Sequence, residues 1–234
     1  MVHSAFKTMA SEGHELKAVL ETLVEYMAPG TLLLPTMSWR HVTPANPVFD
    51  ELATPSITGA LTELFRTDYA SARSLHPTHS VAGLGKLAGE ILGYHHLDET
   101  PCSERSPVGL LARHDGWILM MGTTMDSCTL IHHVEEMIAP DLYLRPAAQR
   151  ETYFCHDRHG REVTVHLRRH LRLPRDFWQF QDMLAAQGEL RLARVDNSVC
   201  RAFRARALVR LVTETLTRRP DAIIARPGQR YRMM

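Results

Sequence analysis

The sequence predicts an α/β fold: a single layered domain over residues 1–234, with a mixed sheet, flanking helices and a late antiparallel hairpin. Two observations predict it. Segments with helical spacing alternate with short apolar runs of strand length. Late in the chain, two extended runs flank Asp157-Arg158-His159-Gly160, which is a hairpin signal.

The elements follow in order. Glu15 to Met27 carries Leu16, Val19, Leu20, Leu23, Val24 and Met27 at helical spacing, and Pro29-Gly30 stops it. Thr31-Leu32-Leu33-Leu34-Pro35 reads as a short buried strand. Residues 36–53, rich in Pro, Asn and Thr, read as a long loop of the kind that often carries function. Thr54-Pro55 reads as the cap and first turn of a helix with Ile57, Leu61, Leu64 and Phe65 on its apolar face. A short extended piece over 72–75 leads to His76-Pro77-Thr78-His79-Ser80, where Pro77 disfavours helix at His76. Residues 86–95 and Val108 to Arg113 read as helices on either side of a polar loop. Trp117 to Met121 is a buried strand, Gly122 a tight turn, and the run from Asp126 a helix. Glu151 to Cys155 and Arg161 to Leu167 form the hairpin. A helix over Phe177 to Gln187, a strand over Leu190 to Val195 and a helix over Ala205 to Arg218 complete the set.

Composition bounds the function. With 44% apolar and 23% charged residues, the 234-residue chain is ordinary for a soluble globular protein and long enough to bury a sizeable core. No apolar run approaches the roughly 18 residues of a membrane span, and the start lacks a signal-peptide pattern. Cys102, Cys128, Cys155 and Cys200 are widely separated with no CxxC pair, so neither a structural zinc site nor a disulfide framework is expected. A cytoplasmic location is the simplest expectation. Residues 1–144 hold 8 Lys/Arg against 17 Asp/Glu, a balance of −9, and residues 145–234 hold 19 against 9, a balance of +10. An acidic part suits a cationic substrate and a basic part an anion, unless the two simply pack together or are solvated. The basic residues are interleaved with acidic ones and form no long block, which argues against nucleic acid.

The run Asp126-Ser127-Cys128-Thr129-Leu130-Ile131-His132-His133-Val134-Glu135 carries the most chemistry. His132 and Glu135 are three apart and share a helical face, and Asp126 stands at the turn before them. A histidine beside a carboxylate can act as a general base near neutral pH, or can be a plain surface pair. Cys128, four before His132, would allow a covalent acyl-enzyme or be simply core. The 76–80 run offers two imidazoles and two hydroxyls to a ligand or metal, but no histidine cluster matches a tight zinc signature, and no metal site is expected. Asp50, Glu51, Asp98, Glu99 and Glu104 could neutralise a polyamine or be ordinary loop carboxylates.

Four segments together resemble the aminoglycoside 3-N-acetyltransferase family of antibiotic N-acetyltransferases. They are Val2-His3-Ser4 with Gly30-Thr31-Leu32 and Pro35-Thr36; Asn46 to Asp50 with Thr54-Pro55-Ser56, Gly59-Ala60-Leu61 and Phe65-Arg66; Arg73 to Ala82; and Thr100-Pro101-Cys102, Ser106-Pro107 and Asp126 to Glu135. Their order and spacing are more specific than any one of them. The resemblance implies a domain that takes acetyl-CoA as co-substrate and acetylates an amine of a small molecule such as an aminoglycoside, with a homo-oligomer possible. It implies His132 as base, with Glu135 beside it and Asp126 in the same motif. It places Ser74, His76, Ser80, Val81 and Ser106 around the pantetheine and thioester, and Ser4 near the cofactor. The sequence begins inside the family's first strand, without the helix-and-turn segment that precedes it. Ser11-Glu12-Gly13-His14 replaces a glycine pair, and Cys128 replaces a different small polar residue. The competing readings are a metal-dependent hydrolase built on the histidines and a non-catalytic binding member of the same family.

Overall fold

A computed structural model describes residues 1–229 and 232–233. Its central sheet has four strands, and its polarity is mixed. β1 (Val2–Ser4) lies parallel to the strand Trp117–Met121, which lies antiparallel to Ser198–Arg204, which in turn pairs with Arg191–Val195. Between β1 and the middle of the sheet the chain runs through α1 (Lys7–Ser11), α2 (Leu16–Tyr26), β2 (Thr31–Pro35), β3 (Val48–Asp50), α3 (Ala60–Asp68), β4 (Ala72–Arg73), β5 (Val81–Gly85), α4 (Ala88–Leu92) and α5 (Pro107–Arg113) to β6 (Trp117–Met121). Then come α6 (Leu130–Ile138), α7 (Pro140–Tyr143), the hairpin of β7 (Glu151–His156) and β8 (Glu162–Leu167), β9 (Pro174–Arg175), α8 (Gln179–Ala186), β10 (Arg191–Val195), β11 (Ser198–Arg204), α9 (Ala205–Arg218) and β12 (Arg232–Met233).

β6 shows why the layers form. Side chains alternate across a strand. Ile118 and Met120 join the core built with α5, α6, α8 and α9, whereas Leu119 and Met121 join the core built with α2 and α3. The sheet is therefore covered on both faces, and its middle strand is apolar throughout. A third, smaller core of Val42, Phe49, Leu75, Tyr153, Cys155, Val165 and Leu167 sits under the hairpin, where β3 pairs in parallel with β7. No helix among the described residues is long and apolar enough to cross a membrane.

The structure corrects three local expectations. The helix expected from Thr54-Pro55 begins only at Ala60, because Gly59 has φ +119, a conformation outside the helical region. Thr54 instead accepts the Asp50 N–H through Oγ1 at 2.8 Å and closes a turn. The expected 86–95 helix stops at Leu92 before Gly93, and a separate 3-10 turn covers His95–Leu97. The strand Ser198–Arg204 sits beside β6 where no strand was expected, since Arg201 and Arg204 put a charge on each face and break the apolar alternation that marks a strand.

The Pro- and Asn-rich stretch 36–53, expected as a loop throughout, contains β3 paired with β7, and one side chain braces the rest of it. Arg73 donates to the carbonyls of Thr36, Glu51 and Thr54 and to the hydroxyls of Thr36 and Ser80. Its guanidinium also lies over the Phe49 ring, 4.7 Å from the centroid. The charge asymmetry resolves in the same bland way. Glu51 pairs with Arg158 at 2.7 Å, Glu99 with Arg150, Asp141 with Arg168 at 3.2 Å and Glu135 with Arg175 at 2.8 Å, so acidic groups of the first part meet basic groups of the second. Asp98 is held by Arg105 at 3.2 Å. The loop carboxylates proposed for a polyamine are thus largely neutralised within the protein.

Candidate active site

The site is built on the turn between β6 and α6. Gly122 has φ +64, and a Cβ there would lie 2.9 Å from the Ala5 carbonyl oxygen, so only glycine fits this turn. A 3-10 turn, Met125–Ser127, follows, and α6 begins at Leu130. Asp126 stands in that turn. Its Oδ2 accepts the Trp178 indole N–H at 2.7 Å and the Thr124 hydroxyl at 3.2 Å, while Oδ1 is buried without a partner. Asp126 thereby ties the turn to the segment before α8, and its hydrogen bonds do not reach the histidine.

α6 then buries four ionisable side chains in five residues: His132, His133, Glu135 and Glu136. Buried charge must be paired, and here two pairings coexist. His132 Nδ1 lies 2.7 Å from Glu135 Oε2, and Arg175 Nε donates to Glu135 Oε1 at 2.8 Å. Burial alone pushes a carboxyl up, but the charge and hydrogen bond of His132, then those of Arg175, outweigh it and hold Glu135 down at about 2. An ionised carboxylate can only accept, so Nδ1 of His132 carries a proton toward it. That leaves Nε2 as the ring nitrogen not bound to the carboxylate. Phe177 packs edge-on against the His132 ring at 5.3 Å.

The second pairing grips a main-chain peptide. Glu136 accepts the Cys102 N–H at 2.9 and 3.1 Å, and His133 Nδ1 donates to the Cys102 carbonyl at 2.8 Å. Burial pushes the Glu136 carboxyl up to about 7. His170 completes the neighbourhood. Its ring stacks on His132 at 4.5 Å and meets His79 edge-on at 5.6 Å. Burial, followed by the charge of His132, holds His170 well below the usual histidine range.

His79 belongs to the 74–81 loop. The Ser74 hydroxyl contacts His95 Nδ1 at 3.0 Å and accepts the Val81 N–H at 2.9 Å. His95 Nε2 donates to the Pro101 carbonyl at 3.0 Å. His76 stacks on His95 at 4.3 Å, and its Nδ1 accepts the N–H groups of Thr78 and His79. Ser80 donates to the Thr36 carbonyl at 2.7 Å. Ser106 caps α5, accepting from Gly109 N at 3.2 Å and donating to the Ser103 carbonyl at 2.6 Å. These buried hydroxyls are therefore committed to internal bonds. Ser4 pairs with Met121 in the central sheet, one residue before the Gly122 turn on which the site is built.

What they line is a narrow, mostly apolar seam that is packed too tightly in this structure to admit a water molecule. Pro35, Met37, His79, Val81, Pro101 and Val108 are among its walls. Val81 lines it directly, Ser74 and His76 brace its His95 wall, and Ser106 starts the helix that supplies Pro107 and Val108. His79 connects the seam, through His170, to His132. Cys128 contributes no nucleophile to this neighbourhood. It is fully buried, and burial pushes its thiol up to about 12. Sequence reasoning missed Arg175, His170 and the His133–Glu136 clamp. Arg175 lies in a Leu-Pro-Arg-Asp run with no periodicity, 40 residues from its partner Glu135, so no local signal marks it.

A family model described as aminoglycoside 3-N-acetyltransferase matches residues 1–217. Among curated proteins, the chain is 28% identical over 159 residues to the SPbeta prophage-derived aminoglycoside N(3')-acetyltransferase-like protein YokD of Bacillus subtilis (strain 168), a match covering 59% of this chain and 58% of that protein. The matched stretch spans little more than half the length of such relatives, 58% and 56% for two of them. Among solved structures, a mutant of aminoglycoside acetyltransferase AAC(3)-IVa in complex with a gentamicin is similar at TM-score 0.78 and 24% identity, covering 97% of this chain and 84% of that one. AAC-IIIb, in a binary complex with CoASH, is similar at TM-score 0.74 and 21% identity, covering 98% and 91%. These two likenesses establish a shared fold.

Proposed function

The chain belongs to the aminoglycoside 3-N-acetyltransferase family, and from that premise we propose that it transfers an acetyl group from acetyl-CoA to an amine of an aminoglycoside or similar amino-sugar or aminocyclitol. The observation that carries the reading is the buried His132–Glu135–Arg175 chain. An amine acceptor is protonated near neutral pH and cannot attack a thioester until it loses that proton. His132 Nε2 takes it. Glu135 fixes the ring and stabilises the imidazolium that results. His132 and then Arg175 hold Glu135 ionised, so the carboxylate stays a counter-charge when His132 takes the proton.

Transfer is direct, within a complex of both substrates, because the thiol nearest to His132 in sequence is buried and protonated. Acetyl-CoA supplies the activated acetyl group. The seam has no room for a bulky polycation and would have to widen to admit a slender pantetheine arm, and ring contacts through His79 and His170 run from it to His132. Val81 would touch that arm, with Ser74, His76, Ser80 and Ser106 shaping the walls behind it. Ser4, beside Met121 at the end of the central sheet, would meet the cofactor, and Asp126, bound to Trp178, would support the turn that carries the base. The names of the two structural neighbours, one with CoASH and one with a gentamicin, support this substrate pair. Following coenzyme A thiol release over a panel of aminoglycosides tests the reading. His132→Ala is expected to lower kcat/KM by roughly 10²–10⁴-fold, and undiminished turnover would remove His132 from the role.

A further inference from the structure

Three donors of different chemistry meet beside the proposed base. Cys102 comes from the loop before α5, Glu136 from α6, and His170 from the stretch between β8 and β9. One sulfur, one carboxylate oxygen and one imidazole nitrogen lie within 4.8 Å of one another. Cys102 is fully buried, and the His170 and Glu136 side chains are only 11% and 2% exposed. His170 Nε2 stands 2.8 Å from Glu136 Oε1, a contact that is an ion pair only with the ring protonated, and Nε2 makes no hydrogen bond. A buried polar atom in that state carries a desolvation cost that a ligand would remove. Among the described residues, no arginine or lysine pairs with Glu136, whose neighbours are the Cys102 N–H, Thr100 and histidines.

We propose that Cys102, Glu136 and His170 form a zinc site. A thiolate and an imidazole select zinc or a similar transition metal over magnesium or calcium, whose ligands are oxygen atoms. Binding replaces the proton on the Cys102 sulfur, which leaves to solvent, while His170 ligates through its unpartnered Nε2 and Glu136 through one oxygen. Three protein ligands leave the fourth tetrahedral corner to water. A second group, His132, Glu135 and His170, shares His170. It is the poorer site, because Glu135 is already bound by the Arg175 cation and a metal there would displace the His132 hydrogen bond. The sequence concealed the Cys102 group because its members lie 34 residues apart in each step, far outside the short spacings of zinc motifs. Zinc here fixes the ring that stacks on His132, so metal content and base geometry are coupled.

The test uses the full-length protein, stripped with a chelator and titrated with zinc and then with cobalt(II) alone. Stoichiometric zinc by elemental analysis is expected, together with a cobalt(II) spectrum showing tetrahedral d–d bands and a thiolate-to-metal charge-transfer band. Cys102→Ser should abolish the charge-transfer band and His170→Gln the tight binding, while His132→Asn keeps both. Should one variant fail to fold, judged by circular dichroism, the other decides alone. Absent stoichiometric binding, or a cobalt spectrum without the thiolate band, overturns the assignment. Binding lost in His132→Asn but kept in Cys102→Ser overturns it as well, in favour of the other group. None of these readouts depends on acetyl transfer.

Discussion

α6 presents the same pair of residue types twice, one position out of phase. His132 and Glu135 are three apart, and so are His133 and Glu136. All four are buried, yet one glutamate is held down at about 2 and its neighbour is pushed up to about 7. The helix does not explain this. What surrounds each does: Glu135 is lowered first by the charge and hydrogen bond of His132 and then by those of the Arg175 guanidinium, whereas Glu136 meets the Cys102 peptide, Thr100 and histidines but no guanidinium. Burial raises both carboxyls, and only a close full charge reverses it. Proximity in sequence therefore says nothing about which pair is a charged dyad and which is a structural clamp.

The sharpest way to break the contrast is Arg175→Met. It strands the Glu135 charge in the core with His132 alone, and a loss of about 3–5 kcal/mol is expected in urea unfolding. Unchanged stability would mean that the guanidinium is not what separates the two glutamates. His133→Phe attacks the other face. The Cys102 carbonyl loses its donor, which should cost about 1–3 kcal/mol, while the folded fraction keeps far more activity than His132→Ala does.

His95 supplies a control: a buried histidine with no carboxylate partner. Burial holds it at about 3, below its ordinary 6.5. Its unfolded form binds a proton first as pH drops. The stability it contributes is therefore complete above about 6.5 and lost as pH falls toward about 3. His95→Gln should cost about 1–2 kcal/mol at neutral pH through its two hydrogen bonds, yet shift the acid-unfolding midpoint less than that loss implies. The smallest effect belongs to Cys128→Ala, on the order of 1 kcal/mol or less in stability. Acetyl transfer should persist, and its loss would revive a covalent route.

Much of this was legible beforehand. Thr31–Pro35, Trp117–Met121 and Ala205–Arg218 stand where periodicity places them, because each buries one clear apolar pattern. The fold class and the family were legible too, as was the closeness of His132 and Glu135, since helical spacing alone brings them together. Long-range partners were not. Arg175, His170 and the Cys102 peptide reach α6 only through the path of the chain, and no window of local sequence contains that path. The start of α3 failed for a different reason: Thr54-Pro55 is a good helix opening, but Gly59 takes a backbone angle that cancels it.

Arg73 has a further consequence. The guanidinium that holds the 36–54 stretch reads mostly carbonyl oxygens, those of Thr36, Glu51 and Thr54. Carbonyls are common to every residue type, so the lock is indifferent to which side chains the stretch displays. Exposed side chains of this stretch can therefore be exchanged without loosening the lock, so its surface chemistry and its path are set by different residues.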